Sequence, residues 1–299
     1  MPNWNAVLLE IDKSGQALDN VRRKYLKKLH SHTKRNIICY YSGWLQSPGI
    51  KGVDITDADK NGFMNAVHNM DRSKGLDLLL HTPGGDVAAT ESIVDYLHKM
   101  FNGDIRAIVP QLAMSAGTML ACSCKSIVMG KQSNIGPCDP HFNGFPAAGI
   151  IKEFNRAMDE VTQNPSKIHV WHAIISKYHP TFIGQCENAV NWATRIVKEW
   201  LARGMFADED DAAEKATSVV ESLIHLGASI SHSVHVSSEQ CRSIGLKIEE
   251  LESDNKFQDL VLTVHHTYMH TFSKSLCIKI IENHMGNAMV NFPRPDQQR

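Results

Sequence analysis

The stretch LDLLLHTPGGDVAATESIVDYLHKMF, residues 76–101, runs from an apolar run, Leu76 to Leu80, through a Pro-Gly-Gly turn into a pattern of helical spacing. A second apolar run, DIRAIVP at 104–110, follows directly. Strand, helix, strand in that order is a βαβ unit, and it implies a parallel pair of strands. NIICYYS at 36–42 and KSIVMG at 125–130 read as further buried strands, and ITDADKNGFMNAVHNM at 55–70 as another helix. Residues 35–180 are therefore expected to form an α/β core of stacked ββα or βαβ units around a largely parallel sheet.

On either side of that core the pattern changes. Residues 1–34 carry the basic segment VRRKYLKKLHSHTKR, in which Val21, Tyr25 and Leu29 share a helical face. They predict a helical arm packed on the body or on a neighbouring subunit. Residues 181–299 read as mainly helical, with a role in oligomerisation or in covering the site. Within them, Ala189, Trp192, Ala193, Ile196, Val197, Trp200 and Leu201 line one helix face, closed near Gly204. The tryptophans suit either a subunit interface or the core of the chain itself. SLCIKIIEN at 275–283 suits a late strand.

Composition narrows the function classes. The 299 residues are 42% hydrophobic and 21% charged, with a formal net charge of -1, which predicts a soluble globular protein with no pull towards nucleic acid or anionic lipid. No basic segment followed by an apolar one opens the chain, and no 18-residue apolar run occurs, so neither signal peptide nor integral membrane segment is expected. Seven scattered cysteines do not form a disulfide framework, which suits a reducing cytoplasm.

The chemistry concentrates in the turn at 82–86 and in AMSAGTML at 113–120. Ser115 has a plain reading, as a small residue allowing close packing or as an N-cap. Its catalytic reading rests on context. The serine stands at the start of a helical pattern, the Ala116 amide is free to donate, and a Gly84-Gly85 turn after another strand can supply a second amide. A serine beside two such donors is the minimum equipment for acyl transfer. An extended peptide would dock along Gly85-Asp86-Val87 by pairing with a strand edge.

TPGGD at 82–86, MSAGT at 114–118 and SNIGPCDPH at 133–141 together resemble the serine dehydrogenase proteinase family. That family lies within the Clp protease/crotonase-like superfamily, which also holds the Clp proteolytic subunit and signal peptide peptidase A. The likeness is densest over 76–145 and weaker at GFPAAGIIK (144–152) and SSEQCRSIGLKI (237–248). It implies a stack of ββα units with a helical appendage, a homo-oligomer, and a serine peptidase acting on peptides or proteins. By the same resemblance Ser115 takes the nucleophile position, and the Gly84 and Ala116 amides take the oxyanion hole. No GxGxxG supports a dehydrogenase, and no cofactor is expected.

The base is less legible. Clp-type subunits carry a histidine about twenty-five residues after the serine, and alignment through Ser133 and Pro140 puts Cys138 there. His141 stands three residues further on. The other solution in the superfamily is a serine–lysine dyad, in which a desolvated lysine deprotonates the serine. Lys152 in PAAGIIKEF is the first candidate and His141 the second; a snorkelling surface lysine is the plain alternative. Asp139 orients a base or merely fixes its turn. His266 and His270, four apart, share a helix face, but no HExxH accompanies them, and Cys122 and Cys124 are too close for the usual zinc pair, so no metal is expected. His232 and His235 occupy a loop that either covers the site or bonds its own backbone. Two other classes use the same fold: a peptide-binding scaffold without a working base, and a coenzyme A thioester enzyme.

Overall fold

A computed structural model describes residues 4–14, 18–142, 144–229, 231 and 233–293. The amino-terminal half runs α1 (Trp4–Lys13), α2 (Leu18–Thr33), β1 (Asn36–Ser42), α3 (Asp59–Val67), β2 (Leu76–His81) and α4 (Val87–Phe101). It continues through β3 (Ile105–Val109), β4 (Leu112–Ala113), α5 (Ala116–Cys122), β5 (Ser126–Met129), β6 (Asn134–Ile135), β7 (His141–Phe142) and β8 (Phe145–Pro146). Then come helices α6 (Ala147–Gln163), α7 (Ile168–Ile175), α8 (Phe182–Arg203) and α9 (Ala212–Ser229). The chain ends with β9 (Val236–Ser237), α10 (Ser238–Ser243), β10 (Ile248–Glu250), α11 (Asn255–Lys274), β11 (Lys279–Asn283) and β12 (Ala288–Asn291).

Seven strands form the central sheet in the order β10-β5-β3-β2-β1-β11-β12. The first five run parallel, whereas β11 is antiparallel to β1 and β12 to β11. The inner strands are buried on both faces, which is why they read as largely apolar runs, whereas the edge strands β10 and β12 are partly exposed. Ile38, Tyr40, Leu78, Leu80, Ala107 and Ile127 pack on one side with α3, α4, α5, α8 and α9. Ile37, Cys39, Tyr41, Leu79, Ile108 and Val128 pack on the other with α2 and α11. Trp200 is buried within the first of these layers, so its bulk belongs to the core of the chain. Trp192 is half-buried and donates from Nε1 to Glu91 at 3.2 Å.

The arginines of the basic segment at the start are paired with acids of the body, while its lysines are exposed. Buried Arg22 bonds Glu282 on β11, Thr271 Oγ1 on α11 and Asp19 on its own helix. Arg35 spans Asp77 at 2.8 Å and Asp104. Opposite charge beside the Arg22 guanidinium holds it protonated more firmly than usual, against the opposing pull of burial. The Arg22–Glu282 contact joins α2 to β11 across 260 residues of sequence. All seven cysteines are buried free thiols, and no described helix is long and apolar enough to cross a membrane.

Candidate active site

In an open sheet of parallel strands, ligands bind beyond the carboxyl ends, where loops diverge. The chain brings its two informative segments together there. The turn after β2 is tied to the strand-like stretch after β3: Thr82 N donates to Leu112 O at 3.2 Å and Met114 N to Thr82 O at 3.0 Å. Gly85 is held against Ile55, whose amide donates to Gly84 O at 2.8 Å and whose carbonyl accepts from Asp86 N at 2.9 Å. A Cβ on Gly85 would lie 2.3 Å from Ile55 N, so only glycine permits this approach. The Asp86 carboxylate accepts from Ala89 N at 2.7 Å and caps α4.

Ser115 precedes α5 with φ 53° and ψ -118°, a conformation that costs a non-glycine residue of order 1–3 kcal/mol and concentrates at functional sites. Its hydroxyl makes no cap bond to α5. Gly84, at φ 99°, abuts it: a Cβ there would stand 2.7 Å from Ser115 Cβ and 2.9 Å from Ala116 N. Among the described residues the Ala116 amide meets no acceptor, while Gly117 N donates to Met114 O at 2.8 Å. The Gly84 amide is engaged, donating to Thr82 Oγ1 at 3.1 Å, and the Gly85 amide meets no acceptor among the described residues. Two uncommitted backbone donors thus flank the half-buried serine.

The segment 133–141 packs against this turn. Thr118 Oγ1 donates to Ala113 O at 2.8 Å and accepts from Gly136 N at 2.9 Å. A Cβ on Gly136 would approach Met114 Cε to 2.7 Å and Ser115 N to 3.3 Å. Two residues on, Cys138 is buried in the core, and its contact with Cys122, together with burial, pushes the Cys122 thiol well above its ordinary value. Asp139 is buried beside it, and His141 Nε2 stands 3.5 Å from Asp139 Oδ2.

A model of the ClpP-like SDH-type serine proteinases matches residues 6–266. The chain belongs to that family. It is 33% identical over 139 residues to an uncharacterized protein of Methanocaldococcus jannaschii, covering 45% of this chain and 48% of the relative. A second uncharacterized protein of that organism is 33% identical over 108 residues, 36% of this chain and 37% of the relative. The chain thus spans half or less of the length of the curated relatives it matches. Among solved structures, the membrane-bound stomatin-specific protease 1510-N aligns with a TM-score of 0.41 at 16% identity, over 69% of this chain and 79% of that one.

In this member of the family Lys152 stands away from the desolvated setting expected of it. It is exposed on α6 and lines an apolar cavity of about 1110 Å³ with Phe142, Ile150, Trp171, Tyr178 and Phe182. His235 is exposed just before β9, which pairs with β6 immediately ahead of Gly136; His232 lies outside the described residues. His266 and His270 pack around Trp4, with ring centroids 5.1 Å and 4.1 Å away. Thr118, Ile55 and Gly136 shape the site without having been singled out from sequence. Thr118, as the last residue of MSAGT, and Gly136, within SNIGPCDPH, carried a signal.

Proposed function

We propose that this proteinase hydrolyses peptide bonds through an acyl-enzyme on Ser115. The observation that carries the proposal is the strained Ser115 turn, closed against Gly84, with the Ala116 amide meeting no acceptor among the described residues. Ser115 Oγ attacks the scissile carbonyl as a base takes its proton. The oxyanion is held by the Ala116 amide and by the Gly84-Gly85 turn. Within the turn, the engagement of the Gly84 amide by Thr82 favours the Gly85 amide as donor, with Gly84 providing the close approach. We assign the base to His141, oriented by the buried Asp139 carboxylate, in preference to Lys152. The 3.5 Å His141–Asp139 pairing supports the assignment, as does the exposure of Lys152. His141 then returns the proton to the departing amine, and water releases the acyl group. The substrate is a peptide or protein laid beside Gly85, since Asp86 and Val87 are taken up by the Ile55 pairing and the start of α4.

Covalent labelling by a fluorophosphonate, read by intact mass and peptide mapping, tests this without a known substrate. The expected result is one adduct on Ser115, absent in Ser115→Ala, greatly slowed in His141→Ala and unchanged in Lys152→Ala. Labelling that survives His141→Ala and vanishes in Lys152→Ala would transfer the base role to the lysine. A wild-type chain that never labels would favour a peptide-binding scaffold.

A further inference from the structure

Gly227 lies in the last turn of α9, buried, with ordinary helical backbone. A Cβ built on it would stand 2.0 Å from Asp139 Oδ1, 2.2 Å from Asp139 Cγ and 2.7 Å from Oδ2. The Asp139 carboxylate therefore fills the volume that any other side chain at 227 would take. Nothing in the backbone requires glycine there, since its φ is not left-handed. Glycine within a helix costs about 1 kcal/mol relative to alanine, so a packing reason outweighs that cost. The backbone that carries Asp139 is held, since Cys138 is buried in the core and the Pro140 carbonyl accepts from Ala147 N at 2.8 Å, so a methyl at 227 must turn the carboxylate aside about its own side-chain bonds.

We infer that Gly227 is a positioning residue, a slot on α9 that seats the Asp139 carboxylate where it faces His141 Nε2. The inference rests on the assignment of His141 as the base and adds the part played by the helical region. Through α9, which packs along α8 and α6, the appendage sets the geometry of the catalytic loop. Filling the slot drives the carboxylate away from His141 without touching Ser115 or either amide donor.

The test is the kinetics of fluorophosphonate labelling in Gly227→Ala. A displacement of about 1 Å at a catalytic pair costs on the order of 100-fold, so the limiting labelling rate should fall by about that factor. The reagent concentration for half-saturation should stay within about twofold, because the binding surface is intact. Gly184→Ala on α8, where no atom lies within 4 Å of the added methyl, controls for helical glycine replacement and should label as the wild type does. In an Asp139→Ala background the carboxylate is gone, and Gly227→Ala should then cost nothing further. Should Gly227→Ala alone fail to fold, the double variant should recover the melting temperature of Asp139→Ala.

Wild-type labelling by Gly227→Ala, or the same penalty with and without Asp139, would overturn the inference while leaving His141 as the base. A double variant that melts well below Asp139→Ala would also overturn it. Undiminished labelling by His141→Ala would overturn the base assignment, and this inference with it.

Discussion

His265, on α11, is buried with its Nδ1 facing no hydrogen-bond partner among the described residues, edge-on to the buried His81 ring at 5.2 Å. Burial, helped by the neighbouring His266, pushes its imidazole down to about 3, and burial together with His265 drives His81 down as well. A depressed histidine is neutral in the fold, whereas in the unfolded chain it titrates near 6.5. The unfolded chain thus binds the extra proton between those two values. Stability is complete above about pH 6.5 and is lost steadily as the pH falls towards 3. At pH 5 the loss from His265 alone is about 2 kcal/mol, and it approaches ~1.4 kcal/mol per further pH unit. His81 adds in the same direction. Replacement of His265 by phenylalanine keeps a ring against Tyr41 and His81 and removes the titration. Urea unfolding of both proteins at pH 7, 6 and 5 measures the difference. The wild type should lose about 2 kcal/mol more than His265→Phe between pH 7 and pH 5. Parallel losses in the two proteins would show that His265 takes up its proton inside the fold, and would refute this account of its burial.

Two further outcomes follow from the packing. Gly84→Ala places a methyl 2.6 Å from Met114 O at a φ of 99°, so the turn must shift away from Ser115. Fluorophosphonate labelling should drop about 100- to 1,000-fold, as for loss of an oxyanion donor, while circular dichroism stays native-like. Arg22→Ala strands the buried Glu282 carboxylate and should cost about 3–5 kcal/mol in urea unfolding at neutral pH. An effect below 1 kcal/mol there would mean that Arg23, which also bonds Glu282 at 3.0 Å, suffices.

Much of the α/β core was legible because its strands are buried on both faces. NIICYYS matches β1 residue for residue, and LDLLLHT overruns β2 by one. VAATESIVDYLHKMF is α4 to the residue, since Asp86 caps one end and Asn102 takes the left-handed conformation at the other. The surroundings of the serine were legible for a related reason: Gly84 and Gly85 stand where no side chain fits, and such positions leave a mark in the sequence. The choice between Lys152 and His141 left no such mark. Lys152 sits in an apolar-looking segment, and whether an amine is desolvated depends on what packs over it. Nor did the spacing of Trp200 say whether its face met this chain or another.

Local stereochemistry and the burial of whole strands fixed the order of the elements, the turn glycines and the small residues around Ser115, and each of these operates over a few neighbours in the chain. Tertiary structure decided what lies across large sequence separations. It alone set Arg22 against Glu282, Gly136 against Ser115, and the Asp139 carboxylate into the slot at Gly227. Solvation of a charge and the exclusion of one atom by another depend on distances through space, and those distances exist only once the chain has closed on itself.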